Sequence, residues 1–292
     1  SRGLGDVYKR QVRNRGLEIE VNATPLRNKR GWTWRLFGTY SANENTVMEL
    51  TDDLFALQLQ NTLSGRGSME ARVGQSMSAI YGTGYKRAPD GQIVYGEDGY
   101  PLLADDLIYL GDSNPKGKGS FGTEIKYKGI SLNILFDGQF GGKGYSFTNA
   151  MLMEHGKHEK TLPGRYNGII GDGVIENPDG TYRKNDVVAE EIWTYYTRHG
   201  GRENLEGSMF NTDFLKLREL TLSYSFPARI CKKIGMRKLS VGIYGRDLFM
   251  ITNWPAFDPE FGTLNNGTID KGFEIAQFPA TRNFGVKLNI EF

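Results

Sequence analysis

The chain has 292 residues, 38 of them glycine, and its 36 Lys plus Arg are nearly balanced by 34 Asp plus Glu, a balance that gives no footing for a nucleic-acid partner. A single cysteine, Cys231, excludes an internal disulfide framework and a multi-cysteine metal cluster. No run of 18 apolar residues occurs, so no helix is expected to cross a bilayer, and any crossing is left to strands, which need only about 9 to 11 residues.

Residues 1–15 carry four arginines and one lysine but no apolar core, so no secretory signal is read there and the chain is expected to begin inside a longer protein. Within them DVYKRQ, residues 6–11, looks like the translation of a transposon end used in sequencing libraries. Residues 1–11 are therefore set aside as an artefact and 12–292 are read as the protein.

Seven segments show the two-residue alternation of a strand, near 17–24, 31–41, 119–128, 130–141, 214–226, 238–249 and 283–292. In the first, Leu17, Ile19, Val21 and Ala23 alternate with Glu18, Glu20 and Asn22, and Pro25 with the polar run 27–30 marks a short turn. The second sets Trp32, Trp34, Leu36, Gly38 and Tyr40 on one face. A one-glycine turn at Gly129 joins the third and fourth. In the fifth, Leu215 and Leu217 are out of phase with Leu220, Leu222 and Tyr224, which predicts a bulge near Arg218 and Glu219. The last alternates Phe284, Val286, Leu288, Ile290 and Phe292 with Gly285, Lys287, Asn289 and Glu291.

Connections between these segments alternate short and long, the long ones running to about 75, 70 and 30 residues, which is the asymmetry of an outer-membrane barrel with short periplasmic turns and long extracellular loops. The pattern puts the C-terminus on the periplasmic side. Trp32 to Tyr40 and Phe284 to Phe292 each correspond to roughly 20 Å along a membrane normal, the height of an apolar band between two aromatic girdles. One girdle is expected from Trp32, Tyr127, Phe226 and Phe292, the other from Tyr40, Phe121, Phe140 and Phe284. The fold class is thus all-β, an antiparallel transmembrane barrel sector forming an open sheet with long loops.

Turn formers at 88–91, 97–99 and 177–180 suggest hairpins inside the long loops, where ligand contact belongs. The basic short turns, Arg27, Lys29 and Arg30 in one and Arg229, Lys232, Lys233, Arg237 and Lys238 in another, fit solvated turns or contact with anionic headgroups. No catalytic, cofactor or metal site is assigned, and no enzyme activity is expected. Residues 111–119 miss phosphate-loop spacing, His155 and His158 lack H-E-x-x-H order, and Asp172, Asn177 and Asp179 miss calcium-loop spacing. Asp258 with Glu260, like Asp105 with Asp106, does not establish a glycosidase pair from sequence proximity.

The segment FLKLRELTLSYSFP, residues 214–227, strongly resembles a signature of the SusC/RagA-type TonB-linked outer-membrane transporters. GRDLF at 245–249, DPEFG at 258–262 and FPATRNFGVKLNIEF at 278–292 follow in the order of that family, and GLEIEVNATPL at 16–26 and the 136–145 stretch look like it too. The resemblance implies about the last seven strands of a barrel of about 22 strands in the outer membrane of a Gram-negative bacterium. It also implies a SusD-type surface lipoprotein as partner, the TonB system acting through an N-terminal plug not in this sequence, and import of glycan oligosaccharides or peptides. Outer-membrane lipids and the barrel assembly machinery complete the expected partners, the latter reading the terminal strand and Phe292. For substrate contact, aromatic rings of the loops are the candidates by physical type: Tyr81, Tyr85, Tyr95, Trp193, Tyr195, Tyr196 and Trp254, each of which packing inside a loop would also explain. A non-transporting barrel or adhesin, and a soluble β-sandwich binding or hydrolysing carbohydrate, remain open on the residues alone.

Overall fold

The computed structural model describes residues 11–51, 54–62, 64–265, 268–270 and 272–292; the segment set aside as an artefact lies outside these but for Gln11. Seven strands form one sheet: β1 (Gln11–Arg27), β2 (Trp32–Glu49), β3 (Gly117–Tyr127), β4 (Ile130–Phe140), β5 (Phe214–Ser225), β6 (Lys238–Thr252) and β7 (Asn283–Glu291). They pair antiparallel with their chain neighbours in unbroken order. β1 and β2 run well beyond their alternating segments. Pro25 lies inside β1 rather than starting the turn, at a register shift between Ala23 and Leu26. A proline has no amide for the ladder, and a bulge is one place a strand accommodates it.

Register places apolar residues opposite apolar residues across the whole sheet. One row runs Leu26, Trp34, Ile125, Leu132, Leu222, Ile243 and Val286 from β1 to β7. The opposite face is polar, with Glu20, Thr39, Ser120 and Asp137 as successive neighbours from β1 to β4. Among the described residues nothing forms a second layer over this apolar face: Phe284 is 75% exposed, Val286 72%, and Leu17, Val21, Phe121, Ile243 and Phe249 lie open as well. Burying such a side chain is worth about 1.5–3 kcal/mol. Seven left in water would forgo about 10–20 kcal/mol, as much as the whole stability of about 5–15 kcal/mol that a domain has. A soluble sandwich is thereby set aside, and the face is that of a barrel wall toward lipid.

The turns 28–31 and 128–129 are tight. The third short connection, 226–237, holds helix α3 (Ala228–Lys233), whose Cys231 is buried. At the other end of the wall the described residues of the connections 50–116, 141–213 and 253–282 fold together into a cap. A four-stranded sheet over 56–112 lies in the first, and helices α1 (Phe147–Glu154) and α2 (Ile192–Gly200) in the second. Short strands cross between loops: Tyr145 and Ser146 run parallel to Phe273 and Glu274, and Val94 and Tyr95 parallel to Val174 and Ile175. The main core belongs to this cap. Met69, Ile80 and Leu110 of the first loop pack with Tyr145, Ala150 and Leu205 of the second and Phe273 of the third.

Candidate functional site

The site begins with the phase error in β5. Leu217 pairs with Phe136 and Phe249, and Glu219 with Leu135 and Arg246, so Arg218 is an extra residue against β4, while β6 sets two residues, Asp247 and Leu248, opposite it. The bulge keeps Leu215, Leu217, Leu220 and Leu222 on the apolar face on either side of it. β6 is irregular at the same level. Asp247 has φ 52°, and Gly245 leaves room for Leu248, whose Cδ2 would lie 2.7 Å from any Cβ built there.

Two cations of β5 therefore reach the polar face side by side and gather carboxylates from three other segments. Arg218 donates to both oxygens of Asp137 at 2.9 and 2.8 Å, to Asp247 at 2.8 Å and to Glu260 at 2.8 Å. Lys216, its side chain only 4% exposed, donates to both oxygens of Asp258 at 2.7 Å and also to Glu260. Three stretches that carry the family resemblance, FLKLREL, GRDLF and DPEFG, thus meet at one point, where the third loop is tied to the wall. Asp258 and Glu260 spend their charges on these cations instead of facing each other as an acid–base pair. Neither Lys216 nor Arg218 was singled out from sequence as a site residue; the available signal was their place in the longest of those stretches.

Next to this knot, between wall and cap, lie two polar cavities of about 220 and 240 Å³ that share Lys118, Gln139 and Glu260 as lining. Gln139 donates through Nε2 to the Thr212 carbonyl at 2.9 Å, holding the wall to the second loop. Gly141 N–H donates to Asp213 at 2.7 Å just beside it.

The cap gathers four of the seven ring candidates around one histidine or beside it. Tyr85 donates its hydroxyl to the His199 carbonyl at 2.6 Å and lies 3.1 Å from Nδ1, while the Tyr95 hydroxyl lies 3.2 Å from Nε2. The Tyr195 ring centroid is 4.4 Å from the imidazole, and Tyr196 meets Tyr195 edge to face at 5.2 Å. Burial holds the His199 imidazole down to about 4 from its ordinary 6.5. The Tyr85 hydroxyl is pushed far up by burial and by Glu206, and the Tyr95 hydroxyl by burial and Tyr195.

Of the remaining candidates, Tyr81 is buried with Arg72 over its ring at 3.7 Å, and Trp254 is buried against Phe261 at 4.9 Å. Tyr81, Tyr95, Tyr195, Tyr196 and Trp254 are thus packed inside the cap and Tyr85 is half-buried; only Trp193, 59% exposed, offers an open ring. The physical reason is that three loops of this length must bury apolar surface to hold a fold, and their largest rings serve that purpose. Tyr166, 99% exposed, is an open ring that the sequence reading passed over.

Among the girdle residues, Trp32 stacks on Tyr127 of the adjacent strand at 4.1 Å, and Tyr40 of β2 stacks on Phe140 of β4 at 6.4 Å, with Gly117 and Gly119 of β3 between them. Phe121 stacks on Phe136 at 5.0 Å, and Phe226 meets Tyr224 edge to face at 5.0 Å. Phe284 and Phe292 lie open at the two ends of the last segment.

No family model matches the chain. It is similar to TonB-dependent receptor P3 of Formosa agariphila, 25% identical over 97% of this chain and 29% of the relative, and to TonB-dependent receptor P39 of the same organism, 24% identical over 96% and 30%. The chain spans about three tenths of the length of these relatives. In fold it matches the structure of the RagAB peptide transporter with a TM-score of 0.67 at 17% identity, over 96% of this chain and 29% of that one. It also matches the RagAB peptide importer in its open-open state with a TM-score of 0.63, over 97% and 29%.

Proposed function

We propose that this chain, a SusC/RagA-type relative of the TonB-dependent receptors, forms part of the wall and the extracellular cap of an outer-membrane importer of oligomeric nutrients. The observation that carries the reading is the division of one sheet into an open apolar face and a polar, ion-bearing face, with all three long loops folded together at one end. The apolar face meets lipid, the polar face lines the lumen, and the cap faces outward with the C-terminus on the periplasmic side. Peptides are the favoured cargo, since both RagAB likenesses are described as peptide transporters or importers; glycan oligosaccharides are the other class.

In this reading a SusD-type lipoprotein sits on the cap, the TonB system drives release through a plug in the rest of the protein, and the assembly machinery reads the terminal strand. Trp193 is the ring of the original candidates best placed to meet cargo. The test is uptake of labelled peptides and labelled oligosaccharides by cells with the full-length gene, without it, and without TonB. Loss of uptake of one cargo class in both deletions is expected; uptake of both classes that ignores both deletions sinks the reading.

A further inference from the structure

We propose that α3 and the turn around it form an interfacial anchor, seated on the anionic phospholipid headgroups of the periplasmic leaflet. The proposal goes beyond the importer reading and rests on the orientation given there. The connection 226–237 leaves the wall at Phe226, two residues past Tyr224 of the apolar face and edge to face with it, and Phe226 N–H donates to the Leu239 carbonyl at 2.9 Å. α3 thus begins beside the aromatic girdle expected at this end, where a lipid-facing wall gives way to headgroups. Residues four apart share a side of a helix. Ile230 and the C-cap residue Ile234 form one such column, 45% and 51% exposed, and Arg229 and Lys233 form the column beside it, exposed as well. Cys231 takes the inward side, its Sγ 3.6 Å from the Phe226 carbonyl oxygen. An open apolar column flanked by cations is how a helix lies in a membrane interface, and here that column continues the apolar surface of the wall.

Charge selects the kind of lipid. The connection carries Arg229, Lys232, Lys233 and Arg237 and no acid, and among the described residues none of the four has a carboxylate within ion-pair distance. The other turns at this end repeat the bias. Ser225 N–H donates to the Gly129 carbonyl at 2.8 Å, which sets the turn with Lys128 next to this connection, and the turn 27–31 adds Arg27, Lys29 and Arg30 without an acid. The acids on the adjoining strand ends already face lysines, Glu291 beside Lys238 at 2.9 Å and Glu124 beside Lys126 at 2.7 Å. Even with the carboxyl group of Phe292 counted, cations outnumber acids here. A surface that is both apolar and anionic complements such a rim, and a bilayer containing anionic phospholipid is that surface.

The experiment uses the full-length transporter that carries this chain, in nanodiscs of phosphatidylcholine alone, of phosphatidylcholine with phosphatidylglycerol, and of phosphatidylcholine with lipopolysaccharide. Backbone hydrogen exchange is followed over 226–237. Phosphatidylglycerol is expected to slow it about three- to tenfold at low salt, the effect shrinking as salt is added. Arg229→Gln/Lys232→Gln/Lys233→Gln, which experiences the same surface pH, should lose the slowing, and Arg229→Lys/Lys232→Arg/Lys233→Arg should keep it. Ile230→Ser/Ile234→Ser should weaken it. All these positions are exposed, and outer-membrane levels of each variant confirm assembly. Equal exchange with and without phosphatidylglycerol overturns the anchor while the importer reading stands, and so does a slowing that survives the glutamine variant. Slowing by lipopolysaccharide and not by phosphatidylglycerol puts these turns at the outer leaflet and overturns both the anchor and the orientation beneath it. Loss of the importer reading in the uptake test, with the phosphatidylglycerol effect intact, leaves the anchor supported.

Discussion

Lys216 shows how much one side chain can hold in a chain whose sheet has no interior. Its ammonium is nearly withdrawn from solvent and joins two acids of the third loop to the wall. Removing one partner of a buried pair typically costs about 3–5 kcal/mol, since the remaining charges stay desolvated, whereas an exposed pair contributes about 0–1 kcal/mol. Lys238, 79% exposed beside Glu291, is an exposed pair of this kind. Lys216→Met should lower the temperature at which the full-length barrel loses its folded electrophoretic mobility by clearly more than Lys238→Met. Equal shifts would show that the knot contributes nothing.

His199 sets a pH dependence for the cap. Because burial depresses its folded pKa to about 4, the unfolded segment takes up a proton between pH 6.5 and 4 that the folded one refuses. Stability from this group is complete above pH 6.5 and is lost as pH falls toward 4, by about 3 kcal/mol in all. Backbone hydrogen exchange over α2 should therefore quicken between pH 7 and 4.5, after correction for intrinsic rates. In His199→Gln the corrected protection should change less across that range. Identical pH profiles for the two proteins would exclude the histidine as the cause.

At the scale of elements, the bulge is the device that reconciles β5 with its neighbours. A period of two means that one added residue moves everything beyond it to the opposite face. Arg218 is an addition the sheet accommodates, because β4 skips it, β6 is itself irregular opposite it at Asp247 and Leu248, and its charge is met. An alanine inserted between Thr221 and Leu222 has neither compensation and would turn Leu222 and Tyr224 to the lumen and Ser223 and Ser225 to lipid. We expect outer-membrane levels of the full-length protein to collapse on that insertion. Deleting Arg218, which keeps the alternation on both sides, should reduce them much less. Membrane fractions with equal levels of the two variants would refute the account. The bulge was legible in the sequence because leucine spacing at 215–222 breaks by one residue. The strand through Pro25 was not, since a proline that reads as a stop can also sit at a bulge. Helices α1 and α2 were also missed: α1 has no strong apolar stripe, and α2 is only nine residues long.

For the molecule as a whole, what sequence alone determined was the wall. A strand exposed to lipid on one side and water on the other must alternate, and that requirement is local, written residue by residue in β1 to β7 and in the aromatics at their ends. The turns at 88–91, 97–99 and 177–180 were local in the same sense, closed by backbone bonds such as Gly91 N–H to Ala88 O at 2.8 Å and Gly180 N–H to Asn177 O at 2.9 Å. The cap and the site were decided only in three dimensions. Tyr81, Tyr95, Tyr195 and Trp254 are amphipathic rings whose sequence surroundings do not say whether the folded loops will cover them, and here they do. Likewise Lys216, Arg218, Asp137, Asp247, Asp258 and Glu260 become one ion cluster because strand register and loop path bring them together. Residues this far apart in the chain carry no shared period, and only the contacts of the fold show which charges meet.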